Sequence, residues 1–270
     1  TSLSVEIEIL PMELKPVEGY YSIFHRSQPV DPTEKKVEGS YVKPERYLAE
    51  LKDQVRHGVN AAILYGDFSM LKPVKEAGMT EAPVLMTWNT DAKEVAEAKA
   101  MGFPDLYYWG VDEPAGDRIE VCRKEAERRS KEGFHMFTAI NSVAAQEATK
   151  DFIDRPVLTV TVFSGPDNPA VMYARSKGFV PVSYWMTASP YPLWYRALTG
   201  LYNRRCGYLG AAPWADQDFP DHRLYEDNEN YIHAVSYPDE SGEPIPTLGW
   251  EAYRAGVDDV RYLQALDRVI

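Results

Sequence analysis

The feature that most constrains the fold of this chain is a regular alternation of short β-rich segments with longer helical patterns. Segments rich in β-branched and aromatic residues recur eight times, each ahead of a stretch with helical hydrophobic spacing. This alternation is typical of βα units, in which a helix connects each strand to a parallel neighbour. The eight strands are predicted at 20–24, 61–65, 84–88, 106–111, 135–140, 157–163, 180–186 and 208–212.

Eight helices complete these units. They are predicted at 44–57, 70–77, 92–100, 118–131, 143–151, 168–178, 192–205 and 250–269, with a long polar loop over roughly 216–248 ahead of the last. The 270 residues match the usual size of one (β/α)8 barrel. A doubly wound open sheet is the alternative, but no glycine-rich phosphate turn follows strand one, and closure leaves no exposed edge. We therefore predict an α/β fold, a parallel (β/α)8 TIM barrel.

The first residues do not fit this alternation. Residues 5–9 (Val-Glu-Ile-Glu-Ile) alternate like a strand, Leu10-Pro11 ends it, and no helix follows. This segment could plug the bottom of the barrel, or it could be the last strand of a preceding β domain. We predict residues 1–18 as a lead-in strand and linker, the remnant of a β-sandwich junction, and residues 19–270 as the catalytic barrel.

Charge and composition narrow the range of partners. The chain carries 41 acidic and 29 basic side chains, a net charge of −12, which argues against nucleic acid or an anionic membrane surface. It contains no membrane-spanning run of 18 apolar residues and no signal-peptide pattern. A leader removed before residue 1 would favour a secreted or periplasmic protein, and the localisation and oligomeric state are otherwise undetermined. Cys122 and Cys206 are predicted on helices four and seven, too far apart around the ring for a disulfide.

The active site of such a barrel lies at the C-terminal ends of the strands. Aromatic residues make up 12% of the chain, and their flat faces can stack on sugar rings or simply fill the core. The aromatic and polar residues at this rim suit a carbohydrate partner better than a phosphate or a dinucleotide. The predicted substrate-binding residues are Arg26, Tyr65, Asp67, Trp88, Asn141, Tyr184, Trp185, Trp214 and Asp216.

Some of these assignments have structural alternatives. The tryptophans can be pocket walls or packing at the top of the barrel, and Asp67 and Asp216 can hold sugar hydroxyls or be ordinary loop acids. The five histidines show no metal-ligand spacing. We therefore predict no metal and no cofactor.

Asp112 and Glu113, at the end of strand four, are the strongest candidates for chemistry. A glycosidase needs an acid to protonate the leaving oxygen and a second group to stabilise the positive charge that develops on the sugar. Two adjacent carboxylates can supply both, and their repulsion should raise one pKa. Strict alternation would point the two side chains to opposite faces, so both serve one site only if the strand bends or bulges there. The alternative is a solvated acidic turn or a cap for helix four.

Strand seven distinguishes between glycosidase mechanisms. Many retaining barrel glycosidases place a nucleophilic Glu after this strand, but residues 180–187 contain no carboxylate. An acetamido group of the substrate can serve as nucleophile instead, and the enzyme then needs one acid and a neighbouring carboxylate that orients the acetamide. Asp112 beside Glu113 fits this requirement. Two alternatives stay open: a glycosidase for sugars without an acetamide, with Asp67 or Asp216 as second carboxylate, and an inactive barrel that only binds glycans.

Three runs of the sequence resemble one glycosidase family. Residues 107–114 (Tyr-Tyr-Trp-Gly-Val-Asp-Glu-Pro) resemble the catalytic strand of glycoside hydrolase family 123 and its uncharacterised relatives. Residues 250–263 look like the last barrel helix of that family, and residues 5–11 resemble the strand that leads from its N-terminal β-sandwich into the barrel. This sequence differs from the family in that it does not include the sandwich itself. This difference affects which substrates we expect the barrel to reach.

The resemblance implies a specific reaction. It implies a retaining β-N-acetylhexosaminidase, typically acting on N-acetylgalactosamine, with substrate-assisted catalysis through an oxazolinium intermediate. Glu113 would be general acid and then general base, and Asp112 would hold the acetamide nitrogen. An aromatic hydroxyl, that of Tyr184 or Tyr65, would contact the acetamide oxygen.

Overall fold

The computed structural model describes residues 13–29, 41–87, 91–187, 191–218 and 233–269. The strands in chain order are β1 Tyr20–Tyr21, β2 Phe24–His25, β3 Gln28–Pro29, β4 Tyr41–Val42, β5 Ile63–Leu64, β6 Val84–Leu85, β7 Tyr107–Trp109, β8 His135–Ile140, β9 Arg155–Thr159, β10 Val182–Tyr184, β11 Gly210–Ala211, β12 Gln217–Asp218, β13 His233–Ala234, β14 Ser236–Pro238 and β15 Pro244–Pro246. The helices are α1 Pro44–Arg56, α2 Leu71–Ala77, α3 Ala92–Ala100, α4 Arg118–Lys131, α5 Val143–Thr149, α6 Pro169–Ser176, α7 Pro192–Thr199, α8 Leu201–Arg205 and α9 Leu248–Asp267, with a 3₁₀ turn at Phe68–Met70.

Parallel strands close into a barrel. The order of the main sheet is β1-β11-β10-β9-β8-β7-β6-β5-β2, and every neighbouring pair in it is parallel. The two ends of this order, β1 and β2, are parts of one extended stretch over residues 20–25, so the sheet returns to its own beginning. The Ser22 amide donates to the Ala211 carbonyl at 2.8 Å, which continues the seam. The prediction of a parallel (β/α)8 barrel is confirmed.

Side chains along the barrel strands alternate between the interior and the helix layer, as strand geometry requires. The interior cluster comprises Tyr20, Phe24, Ala61, Ile63, Ala82, Val84, Tyr107, Trp109, Phe137, Ala139, Val157, Val182, Tyr184, Ala212 and Ala215. Their chain neighbours, such as Leu64, Tyr108 and Trp185, belong to the cluster that packs outward against α1, α7 and α9. The interior cluster fills the barrel and forms the floor of any site at its C-terminal end.

Helix seven, predicted as continuous over 192–205, is divided at Gly200 into α7 and α8. A Cβ atom on Gly200 would lie 2.9 Å from the carbonyl oxygen of Gly256 in α9, and one on Gly256 would lie 2.6 Å from the Arg196 carbonyl oxygen. The backbones of α7 and α9 therefore meet at a pair of glycines, where no larger side chain fits. Hydrophobic spacing does not report such a backbone contact, and the prediction of an unbroken helix is wrong.

Strand six and the loop after strand eight also differ from the prediction. Strand six, predicted to reach Phe163, ends at Thr159, because the amides of Val162 and Phe163 both turn back to the Thr159 carbonyl, at 3.0 and 2.9 Å. The β-branched residues beyond Thr159 lie in this turn and not in the sheet. The predicted polar loop over 216–248 contains two antiparallel pairs, β12 with β13 and β14 with β15. The loop after strand eight is thus partly ordered into small sheets beside the barrel.

The lead-in segment runs along α9 at the N-terminal end of the barrel. Arg261 donates from Nη2 to the Leu14 carbonyl at 2.6 Å and from Nε to the Lys15 carbonyl at 2.8 Å. The strand predicted at 5–9 lies outside the described residues, so the β-sandwich junction stays a prediction. Cys122 in α4 and Cys206, just after α8, are free and buried. No helix in the described ranges is long and apolar enough to cross a membrane.

Candidate active site

A cavity of about 360 Å³ opens at the C-terminal ends of the barrel strands. Its lining comes from the ends of strands one to four and of strand eight, and consists of Arg26, Tyr65, Met86, Thr87, Trp109, Asp112 and Trp214. Both the position and the volume are typical of substrate sites in barrel enzymes. Three of the lining residues are aromatic and one is a carboxylate, which makes this the candidate active site.

Two other cavities lie at the opposite, N-terminal end of the barrel, with volumes of about 750 and 370 Å³. The larger one lies between the lead-in segment, α1 and α9. Two of its arginines pair with one aspartate: Arg261 contacts Asp258 at 2.7 Å, and Arg254 contacts the same carboxylate at 3.6 Å. We assign the chemistry to the smaller C-terminal cavity, since it combines the carboxylate of Asp112 with three aromatic walls.

The aromatic walls are held by ring contacts with the barrel interior. Phe24 meets the Trp109 ring edge-on at a centroid distance of 5.1 Å and lies 5.3 Å from the Trp214 ring. Tyr65 stands edge-on to Trp214 at 5.9 Å, and the Arg26 guanidinium carbon lies 4.8 Å from the centre of the Tyr65 ring. Such contacts fix ring orientation more tightly than apolar packing alone. The walls are therefore preorganised flat surfaces.

Strand four bends where the acidic pair begins. The chain leaves the ladder after Gly110, where a Cβ atom would lie 2.2 Å from the Thr138 hydroxyl oxygen, and residues 111–113 form a bend. Glu113 has a φ angle of +39°, in the left-handed region that non-glycine residues rarely adopt. Its amide donates to the Ala139 carbonyl at 3.2 Å. The pair therefore does not follow the alternation of a regular strand.

Both carboxylates act on the same neighbouring phenol. The pKa of the Tyr184 hydroxyl is raised above its ordinary value, first by burial and then by the negative charges of Glu113 and Asp112. Tyr184 is the last residue of β10, and its ring belongs to the interior cluster. Asp112 and Glu113 are therefore both close enough to Tyr184, at the C-terminal end of the barrel, to influence the pKa of its hydroxyl.

Glu113 is half-buried beside the cavity. Asn141, the residue that follows β8, donates from Nδ2 to Glu113 Oε2 at 3.2 Å. Asn141 was predicted as a substrate-binding residue, and in this structure it contacts the carboxylate instead. It restricts the orientation of Glu113, and a substrate could share it only through its remaining hydrogen-bonding groups.

Asp112 is the member of the pair that lines the cavity. Its pKa is raised from 3.8 to about 6, because the carboxyl is partly withdrawn from water and the negative charge of Glu113 lies close by, while the Arg118 guanidinium partly opposes the rise. Arg118 donates to the Asp112 carbonyl at 2.9 Å and so lies beside the turn. One raised pKa in the pair agrees with the expectation from sequence, and the structure attaches it to Asp112.

The structure does not bring the other two predicted acids to the cavity. Asp67 is exposed and caps the 3₁₀ turn, where its Oδ1 accepts from the Ser69 amide at 2.8 Å. Asp216 is only 2% exposed, and its Oδ2 accepts from Gln54 Nε2 at 2.7 Å. Both carboxylates are used by the protein itself, so neither is placed to hold a sugar hydroxyl in this cavity.

The predicted tryptophans have different environments. Trp214 is a cavity wall, whereas Trp185 is 7% exposed and packs in the outer cluster between strands and helices. Since Tyr184 points into the barrel, the next residue must point outward. The structure therefore corrects the assignment of Trp185 to the pocket. Trp88 lies outside the described residues.

Trp109, Met86 and Thr87 line the cavity but are absent from the residues predicted from sequence. The place of Trp109 in the cavity lining could have been predicted from the sequence. This residue alternates with Tyr107 on the inner face of strand four and stands three residues before Asp112, so the period of two would have directed it to the barrel mouth. Met86 and Thr87 follow β6 and carry no comparable signal, since neither residue type is specific to binding sites.

Comparison with known proteins supports the fold. No protein-family model matches the chain, and no curated protein matches it in sequence. Among solved structures, Gas2 in complex with a compound superposes with a TM-score of 0.51 at 13% identity over 92% of this chain and 68% of that one. The apostructure of a Saccharomyces cerevisiae Gas2p mutant gives 0.50 at 13% identity over 92% and 64%. A putative α-L-fucosidase from Bacteroides thetaiotaomicron gives 0.47 at 10% identity over 81% and 92%.

These neighbours are TIM-barrel proteins of the glycoside hydrolase type. At such low identity the likeness concerns the fold, and it extends over most of the described chain. The comparisons thus support a TIM barrel, and the structure places a cavity with one carboxylate and three aromatic side chains at its C-terminal end.

Proposed function

We propose that this protein is a glycoside hydrolase, and more specifically a retaining β-N-acetylhexosaminidase that uses the acetamido group of its substrate as nucleophile. The single observation that carries the proposal is the bend at Asp112 and Glu113, which places two adjacent carboxylates at the C-terminal end of the barrel, with Asp112 in the lining of the aromatic cavity. A substrate-assisted mechanism needs such a pair, one group as acid and one to orient the acetamide. The resemblance of residues 107–114 to family 123 supports the same assignment.

The geometry supports different roles for the two acids. Asp112 lines the cavity, so it is the group that accepts a hydrogen bond from the acetamide N–H and balances the positive oxazolinium. Glu113, held by Asn141 beside the cavity, protonates the glycosidic oxygen and then takes a proton from water. Trp109 and Trp214 offer flat faces to the sugar ring, and Tyr65 or Tyr184 can donate its hydroxyl to the acetamide oxygen.

The distribution of the remaining acids also favours this mechanism. A direct glycosidase needs a second carboxylate about 5 to 9.5 Å across the bond from the acid. Of the two candidates within the described residues, Asp67 caps a turn and Asp216 is buried in the protein, and neither is in the cavity lining. A strictly glycan-binding barrel would place the acidic pair away from the aromatic walls, but Asp112 shares the cavity with them.

The proposal is tested with 4-nitrophenyl and methyl β-glycosides of N-acetylgalactosamine, N-acetylglucosamine and the corresponding plain hexoses. We expect turnover of an N-acetyl substrate and inhibition by the thiazoline analogue of its oxazoline. The Glu113→Gln variant should lose about 10² to 10⁴ in kcat/KM on the methyl glycoside, whose leaving group needs a proton, and less on the nitrophenyl glycoside. Asn141→Asp replaces the side chain that donates to Glu113 by one of the same size, and so serves as a second test of the role of Glu113.

Two results would contradict the proposal. Hydrolysis of plain hexosides without N-acetylhexosaminides would show that the acetamide takes no part. Tight binding of an N-acetylhexosamine without turnover, unchanged in Glu113→Gln, would show a barrel that only binds glycans.

A further inference from the structure

An exposed apolar surface flanks the candidate active site on the side of strand seven. It is formed by Met186, Tyr191, Trp194 and Leu248, which are 50, 63, 58 and 77% exposed. We call these four residues the rim shelf. Met186 follows β10, while the other three stand at the first turns of α7 and α9, which face the C-terminal end of the barrel in a βα fold. Large exposed apolar side chains grouped in this way commonly mark a binding surface.

The rim shelf is joined to the wall of the cavity by direct contacts. Met186 forms an isolated parallel β-bridge through its backbone with Trp214, a residue that lines the cavity. The Thr187 amide donates to the Trp214 carbonyl at 2.6 Å. The Tyr184 hydroxyl, whose pKa both acidic residues raise, lies 3.8 Å from the Met186 sulfur. Met186 is therefore the continuation of the cavity wall toward solvent.

The first turns of α7 and α9 are fixed to the same strand end. The Tyr195 hydroxyl donates to the Thr187 carbonyl, and the Trp194 amide donates to the Tyr191 carbonyl at 3.0 Å. A Cβ atom on Gly249 would lie 3.0 Å from the Tyr195 ring, so the start of α9 presses against that ring. Tyr195 thus ties the first turns of α7 and α9, which carry three of the four shelf residues, to the end of strand seven at Thr187.

We propose that the rim shelf binds the sugar units of a neutral oligosaccharide that extend beyond the unit held in the cavity. The inference rests on the proposed function and adds to it that the substrate is an oligosaccharide or polysaccharide and not a single glycoside. Its flat Tyr191 and Trp194 side chains suit the apolar faces of pyranose rings. The four residues carry no charge and the chain carries −12, which favours a neutral glycan over an anionic one.

The experiment compares one enzyme on two substrates. One is the 4-nitrophenyl N-acetylhexosaminide that the protein hydrolyses best, which fills only the cavity, and the other is a β-linked tetrasaccharide of the same N-acetylhexosamine. In the Tyr191→Ala/Trp194→Ala variant we expect kcat/KM on the tetrasaccharide to fall by about tenfold or more, mainly through KM, and kcat/KM on the aryl glycoside to change by less than about twofold. Tyr262→Ala, an exposed tyrosine near the far end of α9, is the matched control and should change neither value.

A second arm separates the shelf from the catalytic proposal. Binding of the tetrasaccharide to Glu113→Gln protein is measured by calorimetry with and without the two shelf substitutions. Weaker binding in the shelf variant supports the shelf even if no N-acetylhexosaminide is hydrolysed. An equal loss on both substrates, or tetrasaccharide binding and turnover that do not change, overturns it, and the latter result would leave the surface to a protein partner.

Discussion

Asp112 and Asp216 are two aspartates with the same raised pKa and different environments. Each follows a barrel strand at the C-terminal end, and each has a pKa raised from 3.8 to about 6, mainly by burial. The Asp112 carboxyl is only partly withdrawn from water and lines a cavity with aromatic walls, whereas Asp216 is 2% exposed and hydrogen-bonded to Gln54 and Ser236. A perturbed pKa therefore marks a candidate here only when a substrate can reach the group.

The surroundings of Asp216 explain the difference. His25 and Glu50 form a buried hydrogen bond at 3.0 Å, and Arg46 joins Glu50 to Gln217, which is next to Asp216 in the chain. The pKa of Glu50 is held below its ordinary value by its bonds to His25 and Arg46, even though burial opposes this. This network connects strand one, α1 and the small sheets after strand eight. Asp216 belongs to the support of the barrel mouth and not to its lining.

The largest expected difference between the two aspartates is in rate. Asp112→Asn should lower kcat/KM on an N-acetylhexosaminide by about 10² to 10³, because the charge that stabilises the oxazolinium is lost. Asp216→Asn should leave the rate of the folded protein within about threefold, since it touches no substrate. Steady-state kinetics on both variants, with circular dichroism to confirm folding, checks this. Equal losses in the two variants would remove the distinction.

The next effect is on stability and its pH dependence. The folded-state pKa of Asp216 lies above the unfolded value, so between about pH 4 and 6 the folded protein binds more protons at this group. Its contribution to the free energy of unfolding is therefore greatest below pH 4 and is lost as the pH rises through 6, a change of about 3 kcal/mol for this buried group. The difference between wild type and Asp216→Asn in urea unfolding at pH 4, 5, 6 and 7 isolates it from Glu50, whose shift has the opposite sign. A constant difference would contradict the assignment.

The amide partners of the two sites provide a third comparison. Gln54→Ala removes one of the two buried hydrogen-bond donors to Asp216 and should destabilise the fold by about 1 to 3 kcal/mol, with little effect on the rate of the folded protein. Asn141→Ala frees Glu113 and should lower kcat/KM about tenfold with a smaller change in stability. Thermal unfolding and steady-state kinetics are measured on both variants. They test whether losing an amide partner affects stability or rate according to where the carboxylate lies.

The smallest expected effect is the acid limb of the pH profile. If ionised Asp112 is needed to orient the acetamide, kcat/KM should fall about tenfold per unit below a pH of about 6. The limb should persist in Asp216→Asn and change in Asp112→Asn. A limb that moves with Asp216→Asn would instead connect the buried network to catalysis.

Local patterns were enough to predict the eight βα units and the acidic pair, because strand and helix periodicity and a carboxyl dipeptide at a strand end are local features. They failed at Gly200, where α7 and α9 touch, and at Thr159, where a turn ends strand six. They also failed for Trp185, although the same alternation that places Tyr184 inside would have directed Trp185 outward. The helix break at Gly200 depends on a contact between distant segments and the strand end at Thr159 on a local turn, whereas the outward direction of Trp185 follows from strand alternation alone.

By itself, the sequence determined that the chain forms a parallel (β/α)8 barrel. It also determined which end of the barrel carries the aromatic and acidic residues, since both results follow from periodicity and chain direction. Only the tertiary structure decided which rim residues share a cavity. The bend at Glu113, the burial of Asp216 and the pKa of Asp112 depend on backbones and charges that lie far apart in the chain. Solvent access and electrostatics are properties of the closed barrel, and no single segment contains them.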